Sequence, residues 1–136
     1  MDYIELNLLE MLDTYGEDKL QSILSRFMCP QNIDVENFIQ TKAIGFARQR
    51  LAMTYFNPAL SASIPGQELL SIACSKVREA QFIIGGKAVY IECASNPKLY
   101  NFYSASQFVQ FGQRERDTDE IAESPILVQM LKYFRD

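Results

Sequence analysis

Over the first fifty residues apolar positions recur with helical spacing. Ile4, Leu6, Leu8, Leu9, Met11 and Leu12 predict a short helix over Ile4 to Asp13, broken at Gly16. Leu20, Ile23, Leu24 and Phe27 fall at i, i+3, i+4 and i+7, which predicts a second helix over Asp18 to Phe27, ended by Cys29-Pro30. Asp34 reads as the N-cap of a third, from Val35 to about Arg48, with a stripe of Val35, Phe38, Ile39, the stem of Lys42, Ala43 and Phe46. The period then changes from helical to two. Leu51, Met53 and Tyr55 alternate with Ala52, Thr54 and Phe56, which predicts a strand. NPALSASIPG, residues 57–66, is small, polar and twice interrupted by proline, and reads as a loop.

The second half alternates helices and strands. Leu69, Leu70, Ile72, Ala73, Val77, Ala80 and Ile84 give a long helix from Gln67 to about Ile84 a core-facing stripe, and Gly85-Gly86 stops it. AVYIEC, Ala88 to Cys93, reads as a buried strand. Asn96 caps the next helix, and Pro97 fits a first turn in which its missing N–H costs nothing; that helix runs to about Ala105. Phe108 to Gln113 predicts a strand, with Phe108, Gln110 and Gly112 on one face and Val109, Phe111 and Gln113 on the other. RERDTDEIAES, residues 114–124, reads as a solvated, mixed-sign connection, and Ile126 to Phe134 as the last strand. The helix from Gln67 has the position of a βαβ crossover, and the polar turn allows the last two strands to run antiparallel. The fold class expected is α/β, with an α+β mixed sheet and helices on its faces. It is expected to form one domain over residues 1–136: a helical part (1–50), a strand (51–56), a loop (57–66) and a second half (67–136).

Composition narrows the chemistry. Apolar residues make up 48% and charged residues 22%, the balance of a folded globule. The net charge is -4, and no basic stripe stands out, which argues against nucleic acid as the main partner. Histidine is absent, which excludes Ser-His-Asp and Cys-His catalysis. Cys29, Cys74 and Cys93 are widely spaced with no C-x-x-C, so no metal site is expected, and free thiols fit a reducing, cytoplasmic setting. No apolar run approaches the roughly 18 residues of a membrane span, and MDYIELNLLE lacks the basic and apolar regions of a signal peptide.

Three stretches carry a resemblance: IPGQELLSIACSKV, then IIGGKAVYIECASNPKLYNFYSASQFVQFGQRE, then LVQMLKYF. In order and spacing they look like the C-terminal half of a GNAT-type N-acetyltransferase. The front half is similar to the N-terminal part of a bacterial subgroup of that family. The resemblance implies an acyl-CoA N-acyltransferase fold, acetyl-CoA as co-substrate and an amine acceptor, either a small molecule or a protein. It implies that Gly66, Gln67 and Glu68, ahead of Leu69-Leu70, open a helix whose free N–H groups receive the pyrophosphate. It gives Asn96 a contact with the pantetheine arm and Tyr103 the part of acid toward the departing thiolate. A phenol with pKa of about 10 suits a thiolate whose thiol has pKa of about 8.5. Glu92, near the end of its strand, is the candidate base for the amine.

The chain also departs from the family pattern. Several core strands are expected between LAMTYF and the pyrophosphate loop, and Asn57 to Ser63 is too short to hold them. Only the last glycine of the Gly-rich motif, Gly66, is present. Gln107 stands where the family has a glycine, a residue that allows a positive φ or a close backbone approach. A sheet without its middle exposes strand edges, which a second copy in a homodimer can cover. The alternative to an enzyme is therefore a non-catalytic interaction or regulatory module on an acetyltransferase scaffold.

Overall fold

The computed structural model describes residues 5–56, 65–117 and 125–134. The chain divides into two compact units, Met1–Ser63 and Ile64–Asp136.

In the first unit, local capping decides where the helices begin. Asn7 is extended, its side chain accepts the Leu9 N–H at 2.8 Å, and the Glu10 carboxylate accepts the Asn7 N–H at 3.4 Å. This capping box starts α1 at Leu8, and the helix ends at Tyr15, where the Gly16 N–H donates to the Leu12 carbonyl. The residues just before it are strand rather than helix: β1 (Leu6–Asn7) pairs antiparallel with β2 (Tyr55–Phe56). The expected first helix therefore starts later than predicted, and its proposed first residue, Ile4, lies outside the described residues. The LAMTYF strand shrinks to its last two residues, because the ladder stops where α1 begins and the Leu8 N–H turns to the Thr54 carbonyl at 3.0 Å.

Gly16, with φ of 80°, joins α1 to α2 (Glu17–Leu24). The third helix is capped by Asn32 and not by Asp34. The Asn32 side chain accepts from the N–H groups of Asp34 and Val35, and α3 runs Ile33–Thr41. The predicted single helix to Arg48 is broken at Lys42, whose φ is -121°, before α4 (Ala43–Arg48). The Thr41 hydroxyl donates back to the Asn37 carbonyl at 2.6 Å, a bond that bends helices at this kind of position. Leu8, Met11, Leu20, Leu24, Ile39, Ala43, Ile44 and Ala47 form a closed aliphatic core. Each large member contributes about 1.5–3 kcal/mol by leaving water.

The second unit begins with α5 (Gly66–Ile84), followed by β3 (Ala88–Ala94), α6 (Pro97–Ala105), β4 (Val109–Glu115) and β5 (Ile126–Tyr133). Its sheet has the order β3-β5-β4, and both pairings are antiparallel. The last strand in sequence is the middle one in space, consistent with burial of Leu127, Val128 and Met130. Mixed helix and strand content is as expected. The βαβ crossover is not formed among the described residues, because β2 and β3 belong to different sheets. β4 also extends to Glu115, so Arg114 and Glu115 are strand residues and not part of a solvated turn; residues 118–124 of that stretch lie outside the described residues.

A bulge changes which side chains of β4 share a face. Gln110 pairs with Met130 and Gly112 with Gln129, which leaves Phe111 as the extra residue. The predicted set of Phe108, Gln110 and Gly112 is thereby split. The core of this unit joins Cys74, Cys93, Phe108, Val128 and Met130, with Leu70, Leu99 and Tyr103 packed against them. Only part of the predicted α5 stripe meets it. Leu69 is half exposed, and Phe82, Ile83 and Ile84 are 93%, 82% and 81% exposed. A 19-residue helix is about 28 Å long, and a seven-residue strand only about 23 Å, so the helix outruns its sheet.

Candidate functional site

Two of the expected site segments meet in the second unit. Pro65 occupies the N-cap of α5 and supplies no side-chain hydrogen bond there, so the N–H groups of Gly66, Gln67 and Glu68 have no side-chain cap. The first helical bond is from the Leu69 N–H to the Pro65 carbonyl at 3.0 Å. A Cβ on Gly66 would lie 3.3 Å from Cε2 of Phe102, so the missing side chain lets the start of α5 sit against α6. Glu68 stands in the first turn, where it adds negative charge beside those donors.

α6 holds its site residues by its ends. Asn96 is extended, accepts the Lys98 N–H at 2.8 Å and precedes Pro97 at the first helical position, as the sequence predicts. The C-terminal end closes in a Schellman motif: the Phe108 N–H donates to the Tyr103 carbonyl at 3.1 Å and the Gln107 N–H to the Ser104 carbonyl at 3.0 Å. Gln107 has φ of 71°, the backbone expected of a glycine at this position. The hydrophobic contact that accompanies such a motif is the Tyr103–Phe108 ring pair, with centroids 5.6 Å apart. Phe102 lies edge-on to Tyr103 at 5.1 Å. Burial, and next the neighbouring Cys93 thiol, raise the Tyr103 phenol above its ordinary pKa. Burial likewise raises Cys93.

Glu92 is separated from this group. Cys93 faces the core that contains Tyr103, and strand alternation sends Glu92 to the opposite face. There its carboxylate accepts from Arg114 Nε of β4, across the central strand. Tyr90 donates to Glu92 and accepts from Gln129 Nε2 at 3.3 Å. Burial first, then the bond to Glu92, raise the Tyr90 phenol. An ion-paired carboxylate on the far face is a sheet clamp and is not positioned as a base beside Tyr103. Arg114, read from sequence as solvated, is its partner. The signal available was the two-residue period continuing past Gln113, with glycine inside the strand marking a bulge.

A cavity of about 950 Å³ opens elsewhere in this unit, between α5 and the strand ends of β4 and β5. None of the six expected site residues lines it. Its polar helical wall, Ser71, Ser75 and Arg78, is legible as an i, i+4, i+7 stripe that sequence reading passed over.

Among the described residues no group of three or more His, Cys, Asp or Glu side chains is arranged to hold a metal, and no helix is long and apolar enough to cross a membrane. Comparison with protein-family models, with curated proteins and with solved structures found no match.

Proposed function

We propose that the second unit is the cofactor-binding half of a GNAT-type N-acetyltransferase that uses acetyl-CoA and an amine acceptor, a small molecule or a protein. The observation that carries this reading is the contact of Gly66 with Phe102, which brings an uncapped helix start beside the helix bearing Asn96 and Tyr103. The donors at Gly66 and Gln67 suit phosphate oxygens, by direct hydrogen bonding and by the positive end of the α5 dipole. Glu68 opposes that attraction, so the backbone N–H groups carry it. Acetyl-CoA supplies the activated acyl group. In the transfer a C–N bond forms at the acyl carbon as the C–S bond breaks, and Tyr103 gives its phenolic proton to the departing sulfur. An ordinary phenol already carries its proton at neutral pH; burial, which raises the Tyr103 pKa, keeps it there but makes it a weaker acid. Glu92, paired with Arg114, is left out of the mechanism. Three free cysteines fit a reducing cytoplasmic setting.

Calorimetric titration of the full chain with acetyl-CoA tests the reading. Saturable binding is expected, and no heat at roughly millimolar ligand removes it. With binding established, Tyr103→Phe is expected to lower turnover, followed as CoA release with candidate amines, while leaving acetyl-CoA affinity within about twofold.

A second reading, a non-catalytic interaction module, draws on the exposed Phe82, Ile83 and Ile84 at the end of α5. A chain that self-associates in light scattering and ignores acetyl-CoA favours this reading, with a homodimer as its simplest form.

A further inference from the structure

The sheet of the second unit has one covered face and one open face. α5 and α6 pack on the side of Cys93, Val128 and Met130, through Cys74, Leu99 and Tyr103. Strand alternation turns Tyr90, Leu131 and Tyr133 to the other side. Tyr90 pairs with Leu131 and Leu131 with Val109, so these three form one row across the strands. Tyr133 lies two residues further along β5, opposite Ala88. Phe111, the bulge residue of β4, packs its ring on Tyr90 with centroids 5.8 Å apart. Tyr90, Val109, Phe111 and Tyr133 are 48%, 66%, 54% and 62% exposed. They make a contiguous apolar patch on the face that a one-sided antiparallel sheet ordinarily keeps polar.

Charge decides what fits there. Arg114 is on this face, and Glu92 holds it. The cations that line the cavity, Arg78 and Lys132, belong to the α5 side, since Lys132 pairs with Val89 of the covered core. A nucleic acid needs cations beside an aromatic platform, and a strongly charged peptide needs an opposite charge. The patch supplies neither. We propose that it is the isologous interface of a homodimer, in which two copies stack their sheets face to face. A neutral apolar patch is complementary to itself, and a twofold axis sets the Tyr90–Leu131–Val109 row of one copy against that of the other. Stacked sheets pack about 10 Å apart with their side chains interdigitated. At about 150–250 Å² for a whole aromatic side chain, the four exposed residues offer roughly 400 Å² per copy. That is the apolar core of an interface near the lower end of the standard size, about 1,200 Å² in total, with Gln129 and the Glu92–Arg114 pair at its rim. The proposal stands apart from both readings above, since it uses neither the acetyl-CoA segments nor the end of α5.

Sedimentation velocity of the full chain from about 1 to 500 μM tests it. A monomer–dimer equilibrium with Kd on the order of 10–100 μM is expected, as suits a small interface. Val109→Lys and Tyr133→Lys alter exposed side chains, and each is expected to raise Kd at least about tenfold, because a twofold contact sets each new charge near its own copy. Phe82→Lys, at the end of α5, is expected to leave Kd within about twofold. Hydrogen exchange of β3 to β5 in the diluted variants is expected to match that of the unaltered chain, which separates a lost interface from a lost fold. In an equal mixture of ¹³C-labelled and unlabelled chain, isotope-filtered NOEs between copies are expected at Tyr90, Val109 and Leu131. That measurement on the unaltered chain stands even if a lysine disturbs β4 or β5. The proposal is overturned by a monomer throughout the concentration range, by a dimer without those NOEs, or by a dimer that both Val109→Lys and Tyr133→Lys leave intact. It is also overturned if Phe82→Lys weakens the dimer as much as they do, which would assign self-association to the helix end. Acetyl-CoA binding in calorimetry neither requires nor excludes any of these results.

Discussion

The two units bury their apolar residues differently. In the first, four short helices each turn a face inward, and the aliphatic core they make is closed. In the second, one long helix and one short helix pack with a three-stranded sheet around a smaller core, which includes two cysteines and a methionine. Tyr90, Val109, Phe111 and Tyr133 of that sheet stay exposed, as does the end of α5. Both units leave large apolar residues in water, Met28 and Leu51 in the first and Phe82, Ile83 and Ile84 in the second. The difference is that in the second they include three consecutive residues at one helix end, an apolar surface that a ligand or partner can cover.

The largest expected effect separates the units. Leu20→Ala, at a fully buried position, is expected to cost about 2–5 kcal/mol through lost transfer energy and a cavity. Hydrogen exchange is expected to report it in α1 to α4, with β3 to β5 keeping their protection. Equal loss in both units would break the comparison.

Next comes the sheet clamp. Arg114→Met leaves the partly buried Glu92 carboxylate without its cation and is expected to cost about 1–3 kcal/mol in the second unit. Urea unfolding followed on methyl resonances of each unit measures it. No change there would reassign the pair to an ordinary surface contact.

Alkaline pH is expected to act on the same unit. Tyr103 and Cys93 have raised pKa values in the fold, so the folded state holds their protons more tightly than the unfolded chain does. That contribution is complete below the unfolded values, about 8.5 for a thiol and about 10 for a phenol, and is lost as pH rises through the folded ones. Unfolding of the second unit should therefore become easier above about pH 8.5. The resolved shifts of the first unit are those of the exposed Glu17–Arg48 pair, and the lowered Glu17 value acts only toward acid pH.

The smallest effect has the opposite sign. Gln107→Gly places the residue best suited to φ of 71° at the α6 C-cap and is expected to stabilise the second unit by about 0.5–1 kcal/mol in the same urea measurement. A destabilised variant would mean that the Gln107 side chain contributes more than its backbone strain costs.

What the sequence made legible was local. Asn96-Pro97 marks the start of α6, because cap and proline act within one turn. Gly85 ends α5 with φ of 85°, for a similar reason. Asn32 outcompeted Asp34 as a cap through two N–H bonds whose strength depends on the approach of the chain, which no spacing rule contains. The placement of β5 between β3 and β4, the bulge at Phe111 and the pairing of Glu92 with Arg114 all depend on which strands meet. The resemblance made Glu92 a candidate base from its place near the end of its strand, although strand alternation turns it to the face opposite Cys93 once Cys93 is known to be core. The resemblance to an acetyltransferase guided attention to Gly66 and Tyr103, and their segments do meet. It gave no hint of the cavity lined by Arg78 and Lys132.

The strand order β3-β5-β4 also sets a timetable for synthesis. β3 and β4 leave the ribosome first, yet neither pairs with the other; both wait for β5. Until β5 emerges, β3 and β4 have no hydrogen-bonding neighbour in this sheet and the buried side of Cys93 has no Val128 opposite it. The first unit, whose contacts are made among earlier residues, can already be folded. During that interval the nascent chain pairs a finished helical body with unsatisfied strands, and that is the stage at which a chaperone has most to hold.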